Sequence, residues 1–413
     1  MLAAAFAAIL DIGWNFASSE LQKLKEELKS GGVEAGRALL EKMRDEWRQI
    51  PLNVAVIGRP GVGKSSFINA IRRLTADDEG SAPVDVKETT VTVDRSYPHP
   101  CNPLLKFWDL PGVGTDRFPR QTYLSRIKVD RFDFFLLITA DRFTENDTWL
   151  GREFAKRNKK YFFVRTKVEV DISNNKKAHP KTHKEDDVVR VVRESTQEHL
   201  KENGCEDVPV FLIDSYEFNK FDFVQLERCL IEYFPIFKKA ALVLSLQATS
   251  KEMISLKVAE LRSRMWKRAL LAGAAGAIPL PVVSTAIDIV IVTEESEFYF
   301  TQLGLDETSL KRYAELTNTD YQSLKEIVHR TFGDLDIEAI VDTYINGPAK
   351  PLVAAEGLKW IPVIGSVIGP LIAAPLSVAG TYNTLKLILT NMERVALEVV
   401  EYAAESAASA CCD

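Results

Sequence analysis

Cysteine is scarce in this chain: five residues in 413, at Cys101, Cys205, Cys229, Cys411 and Cys412. None of the spacings suits a metal, and an odd count argues against a disulfide framework, so a reducing cytosol fits best. An excess of basic residues is missing as well. Lys and Arg number 52 against 58 Asp and Glu, a net charge of −6, which gives no support to nucleic-acid binding, where a basic face is the rule. Position 2 is Leu2, not glycine, which excludes N-myristoylation through its usual signal. The apolar start MLAAAFAAIL has no basic flank and meets Asp11 at once. It is too short to span a bilayer, and it reads as a packed or interfacial helix rather than a signal peptide. Internal repeats and low-complexity tracts are also absent.

What is present is ample material for two or three domains. Residues 18–49 read as two helices broken at Gly31-Gly32, with Leu21, Leu24 and Leu28 on one face and Leu40, Met43 and Trp47 on another. From 50 to 236 short apolar runs recur: Leu52–Ile57, Leu104–Trp108, Phe134–Thr139, Tyr161–Arg165 and Val208–Ile213. Charged, helix-like stretches alternate with them at 64–74, 121–128, 146–158 and 186–203. That alternation predicts a parallel sheet wrapped by helices, with ligands at the carboxyl ends of its strands.

Strand signals vanish from 237 onward, so three segments are expected: 1–49 helical, 50–236 α/β, and 237–413 helical. Two long uncharged stretches lie in the last segment, at 269–287 and 360–385. The second has the length of a membrane span but carries Pro362, Pro370 and Pro375. Broken helices packed on one another account for it, and a membrane-contacting hairpin is the alternative.

The most specific feature is Gly58-Arg59-Pro60-Gly61-Val62-Gly63-Lys64-Ser65, entered from the first apolar run. It matches G-x-x-x-x-G-K-[ST], the loop whose backbone N–H groups turn inward around phosphate oxygens. Lys64 reaches the outer phosphates and serves the chemistry, and Ser65 offers a hydroxyl to Mg²⁺. Lys64, Ser65 and Ser66 open a helix whose positive end faces the same anion.

Asp109-Leu110-Pro111-Gly112 follows the second run, the carboxylate positioned for Mg²⁺ and the Gly112 N–H for the γ-phosphate. Between the two motifs, Thr89 or Thr90 is expected to complete the metal shell when GTP is bound, with Thr90 the preferred ligand. The competing reading of that segment is a Thr-rich edge strand.

Thr166-Lys167-Val168-Glu169 sits where guanine-specific proteins carry T/N-K-x-D. A carboxylate there suits guanine, which offers two adjacent N–H donors, and leaves an acid unsatisfied against adenine. Here the acid is Glu169, one methylene longer, with Asp171 two positions on. Asp214-Ser215 is the expected backbone contact to the guanine carbonyl. The residue after Gly112 is Val113, which cannot orient a water. Hydrolysis therefore needs a group from elsewhere, with Glu88 or Asp94 as candidates, or a second molecule across a dimer. An ATP-using phosphotransferase fits Thr166-Lys167 and Asp109-x-x-Gly112 less well.

With these motifs in register, the chain resembles the immunity-related GTPases, interferon-inducible relatives of the dynamins. The resemblance runs through PLNVAVIGRPGVGKSSFINAIR (51–72), ETT (88–90), LLKFWDLPGVG (104–114), FDFFLLITADRFTEND (132–147), KKYFFVRTKVEVD (159–171) and VFLIDS (210–215). It continues more loosely at 221–246 and 299–316, and spans roughly 19–400. It implies a Ras-like G domain on a helical domain built from both chain ends. It also implies GTP and GDP with Mg²⁺ as ligands, slow cooperative hydrolysis and GTP-dependent self-association. A cytoplasmic protein recruited peripherally to intracellular membranes, such as those of pathogen-containing vacuoles, is implied too. A GTP-gated interaction scaffold with negligible hydrolysis is the alternative.

The chain departs from the family at Arg59-Pro60, at Glu169, and in the missing myristoylation glycine. The glutamate that some members carry after the threonine pair has no clear counterpart, Thr92 or Asp94 lying nearest. Membrane attachment would then fall to the apolar helices or to acylation of Cys411 and Cys412, although a plain exposed tail is the simpler reading. The basic stretch Lys176–Lys184 reads as a solvated loop.

Overall fold

A computed structural model describes residues 46–84, 95–205, 207–234, 236–276, 281–332 and 374–410, with Lys23, Glu26, Glu27, Leu39 and Lys42 besides. Most of the helices expected over 18–49, the Thr89–Thr90 segment with Glu88, most of 360–385, and Cys411 and Cys412 lie outside the described residues. Two compact units emerge, one of Trp47–Leu246 and one of Gln247–Asp413 with the chain up to Glu46.

The first unit is built on six strands: β1 (Leu52–Ile57), β2 (Ser96–His99), β3 (Asn102–Leu110), β4 (Phe134–Thr139), β5 (Lys160–Arg165) and β6 (Val210–Leu212). Their order is β2-β3-β1-β4-β5-β6, all neighbours parallel except the β2–β3 pair. Every residue of β4 is buried, because a central strand of a sheet covered on both faces needs an unbroken apolar run. Alternate residues serve opposite faces. Phe135 stacks on Phe154 with ring centroids 4.1 Å apart, while Phe134 meets Phe162 at 4.7 Å and Phe234 at 5.9 Å.

The helices between the strands are α1 (Lys64–Ile71), α2 (Arg120–Arg126), α3 (Glu145–Lys156), α4 (Val168–Ala178) and α5 (Glu185–Glu202), and α6 (Phe223–Tyr233) and α7 (Ile236–Ser245) follow the last strand. The start of α3 is fixed by Thr144, whose backbone N–H donates to Asp147 Oδ2 at 2.7 Å, the reciprocal half of a capping box. Three elements are absent from the sequence pattern: β2, α4 and α6. Strand β2 is short and contains Pro98, which an edge strand tolerates. Helix α4 buries only Val168 and Ile172, so it has no apolar stripe to reveal it, and it absorbs the first residues of the expected basic loop.

The second unit contains α8 (Lys251–Gly276), α9 (Pro281–Gln302), α10 (Glu307–Thr317), α11 (Tyr321–Phe332) and α12 (Ala374–Ala410). Along α12 the buried residues Leu385, Ile388, Leu389, Met392, Val395, Ala396 and Val399 keep the helical period of one packed face. The uncharged stretch at 269–287 begins in α8 and ends in α9. Among the described residues no helix is long and apolar enough to cross a membrane.

Within the first unit, Arg73 and Glu227 form a buried ion pair of 3.1 Å between the end of α1 and α6, with the Arg73 guanidinium over the Phe218 ring at 4.3 Å. Removing one member of such a pair leaves a charge in a dry site. Glu227→Ala should therefore lower the unfolding free energy by about 3 kcal/mol. A denaturant midpoint equal to that of the unaltered protein would contradict this.

Candidate nucleotide-binding site

The parallel register brings the carboxyl ends of β1, β3, β4 and β5 to one edge. Ile57 pairs with Leu110 and Leu137, and Thr139 with Arg165. The residues that follow these ends, Gly58, Pro111, Ala140 and Thr166, therefore crowd together. At Gly58 an added Cβ would lie 2.4 Å from the Ile138 carbonyl oxygen, so no side chain fits. Gly63 caps α1 with φ 88°, the left-handed region that glycine adopts without strain.

Lys64 is buried. Its Nζ donates to the Arg59 carbonyl at 3.2 Å and stands 3.9 Å from Asp109 Oδ1. The ammonium thus lies across the mouth of its own loop, beside a carboxylate that is 1% exposed. Asp109 lies inside β3, which runs on to Leu110 rather than stopping at Trp108. Arg59 turns its guanidinium to Asp141 at 3.5 Å, a solvent-exposed pair, worth little in itself. Pro60 has no N–H, so the cradle has one donor fewer than its length allows.

The loop after β5 holds the glycine loop from outside. The Thr166 hydroxyl donates to the Val62 carbonyl at 2.6 Å, with the Thr139 carbonyl at 3.2 Å, and Lys167 Nζ donates to the Gly61 carbonyl at 2.9 Å. Lys167 takes φ 60° to begin α4, which sets Glu169 in its first turn. Glu169 Oε2 is buried without a hydrogen-bond partner. Burial pushes its carboxyl above the ordinary value of 4.5, outweighing the hydrogen bond from its own backbone N–H and the Lys167 charge that pull it down, while the charges of Asp214 and Asp171 add to the rise.

Asp171, the other acid near the motif, is committed: Arg165 Nη2 binds its Oδ2 at 2.7 Å. Glu169 is therefore the acid of this segment left to meet a base. A purine edge with two N–H donors fits that orphaned acceptor. Asp214 is buried, and its Oδ1 accepts the Tyr216 N–H at 2.8 Å. Ser215 follows it directly.

The Asp109–Gly114 segment is clasped. Tyr123 donates its hydroxyl to the Pro111 carbonyl at 2.7 Å, and Asn146 Nδ2 donates to the Val113 carbonyl at 3.1 Å. Arg120 Nε in turn holds Asn146 Oδ1 at 2.6 Å. Gly112 lies so near the glycine loop that a Cβ would sit 3.2 Å from the Gly58 carbonyl oxygen. Val113 points into the core and is 5% exposed. Arg165, Tyr123, Asn146 and Arg120 have no spacing that would mark them in the sequence.

Hard oxygen donors at Asp109 and Ser65 suit Mg²⁺. No cluster of three or more His, Cys, Asp or Glu side chains stands among the described residues, as expected where one carboxylate, hydroxyls and phosphate oxygens share the ion. Thr89, Thr90 and Glu88, the expected switch residues, lie outside the described residues.

A mostly parallel six-stranded sheet with a glycine loop after β1 and an Asp-x-x-Gly turn after β3 is the architecture of a Ras-like G domain. The family model for interferon-inducible GTPases (IIGP) matches residues 17–344, and the chain belongs to that family. It is 33% identical to T-cell-specific guanine nucleotide triphosphate-binding protein 2 of Mus musculus over 355 residues, 86% of this chain and 81% of that one. Interferon-inducible GTPase 1 of Mus musculus is 35% identical over 304 residues, 73% of each chain. Interferon-inducible GTPase 5 of Rattus norvegicus is 30% identical over 391 residues, 93% of this chain and 83% of that one.

The pH dependence follows from Glu169. A base with two donors needs the ionised carboxylate, so binding releases whatever proton the free protein holds there. GDP affinity should be full at neutral pH and fall as pH drops towards 4.5 through the raised Glu169 value. Titrations of GDP into the protein and into Glu169→Gln, over the same pH range, cancel the titration of the nucleotide's own phosphates. Parallel profiles for the two proteins would contradict the assignment.

Proposed function

We propose that this chain binds GTP and GDP with Mg²⁺, hydrolyses GTP slowly, and self-associates through its nucleotide-binding unit on intracellular membranes in cell-autonomous defence. In this reading the protein is cytoplasmic and only peripherally attached. Residues 50–236 carry the nucleotide chemistry, with 1–49 and 237–413 as its helical partner domain. The observation that carries the reading is the half-buried Glu169, whose Oε2 has no hydrogen-bond partner, at the same strand edge as Lys64 and the glycine loop. Family membership and the names of the relatives support the guanine nucleotide, the GTPase activity and the link to interferon.

The loop from Gly58 to Ser66 binds the phosphates, with Lys64 leaving the Arg59 carbonyl to face them. Thr166 and Lys167 hold that loop in shape, and Glu169, with the backbone at Asp214 and Ser215, receives the base. Asp109, Ser65 and Thr90 would hold Mg²⁺, which supplies positive charge against the phosphate oxygens when bound. The Gly112 N–H reports the terminal phosphate to the clasped segment behind it.

Val113 is buried and cannot position the attacking water. That role passes to Glu88 or to a second copy of the chain, which makes hydrolysis depend on association. The burial of Val113 also favours a second reading, a GTP-gated scaffold with negligible turnover.

Single-turnover hydrolysis over a series of protein concentrations separates the two. Specific activity rising with concentration is the expected result, and a flat line at background leaves the scaffold. Lys64→Ala should lose both nucleotide retention and hydrolysis, and an unaltered rate in that variant would contradict the site.

A further inference from the structure

Tyr216 is 72% exposed, the most exposed large hydrophobic side chain among the described residues. A single ring left in water is ordinary in itself; what sets this one apart is where it is held. Its position is specific. Its backbone N–H is fixed to Asp214 Oδ1 at 2.8 Å, and Asp214 is close enough to Glu169 to shift that carboxyl. Its hydroxyl lies 3.4 Å from Ser66 Oγ, in the first turn of α1, next to the phosphate-facing residues Lys64 and Ser65. One end of the side chain is therefore rooted where the base is read, and the other touches the helix that faces the phosphates.

A nucleotide with its purine at Glu169 and its phosphates at Lys64 would have its two ends near the two segments that Tyr216 bonds, Asp214 and the first turn of α1. We propose that Tyr216 is a nucleotide-binding residue whose ring leaves Ser66 and stacks on the purine of the bound guanine nucleotide. The inference rests on the reading that Gly58–Ser65 and Glu169 hold such a nucleotide. Stacking on an aromatic face accepts every base, so Tyr216 contributes affinity, while the choice of guanine stays with Glu169. Because the ring is exposed, truncating it leaves the fold intact.

The test uses the full chain with GDP as ligand and inorganic pyrophosphate as a competitor that has no base. Tyr216→Ala should weaken GDP binding roughly 5- to 150-fold and leave pyrophosphate affinity unchanged. Tyr216→Phe, which keeps the ring and loses the Ser66 contact, should bind GDP like the unaltered protein. Equal GDP affinity in Tyr216→Ala overturns the inference. So does an equal loss for GDP and pyrophosphate, which would place the effect in α1, or a loss in Tyr216→Phe as large as in Tyr216→Ala. If the unaltered protein binds pyrophosphate but not GDP, the guanine reading itself falls; if only the Tyr216→Ala comparison fails, that reading stands and this inference alone is lost.

Discussion

The hydroxyl of Thr166 is the contact on which the rest of the site depends. It stands at the carboxyl end of β5 and reaches the Val62 carbonyl in the middle of the glycine loop, with the Thr139 carbonyl of β4 within range. A glycine loop has little side-chain packing to define it, and its residues carry more backbone entropy than most. Here the shape is imposed from outside: Thr166 and Lys167 each accept the job of fixing one carbonyl, at Val62 and at Gly61. With those carbonyls turned outward to β5, the neighbouring N–H groups are free to face inward, where an anion requires them.

The same segment runs straight on into Glu169, so the proposed phosphate and base contacts share one piece of backbone. Arg165 secures that piece by binding Asp171, and Glu169 Oε2 is left without a hydrogen-bond partner. On the other side of the loop, Tyr123 and Asn146 hold the carbonyls of Pro111 and Val113, and Arg120 holds Asn146 in turn. A shift at Gly112 is thereby felt at α2 and α3, the elements that carry those side chains. The residue after Gly112 faces the core and not the phosphates, which ties the proposed chemistry to groups beyond this segment.

The sequence pattern identified those parts of the fold that rest on continuous burial. Strands β1 and β4 have the bounds that their apolar runs predict, because both are interior strands covered on two faces. Strand β2, with Pro98 at the sheet edge, and α4, with two buried residues, carry no periodic signal and were not legible. In the site, the glycine loop, Asp109 and the Thr166–Glu169 segment could be read because their chemistry fixes residue types at fixed spacing. Glu169 follows from its place in the motif, but the pairing of the neighbouring Asp171 with Arg165 could not be read, since the place of Arg165 follows only from the fold. Tyr216 was equally hidden, being an ordinary aromatic until its hydroxyl is seen beside Ser66.

Calorimetric titration of GDP into Thr166→Val tests the central dependence most directly, because valine keeps the volume and removes only the hydroxyl. Loss of a buried hydrogen bond to the Val62 carbonyl should lower GDP affinity about tenfold while the protein stays folded. GDP affinity equal to that of the unaltered protein would contradict the claim that β5 shapes the phosphate loop.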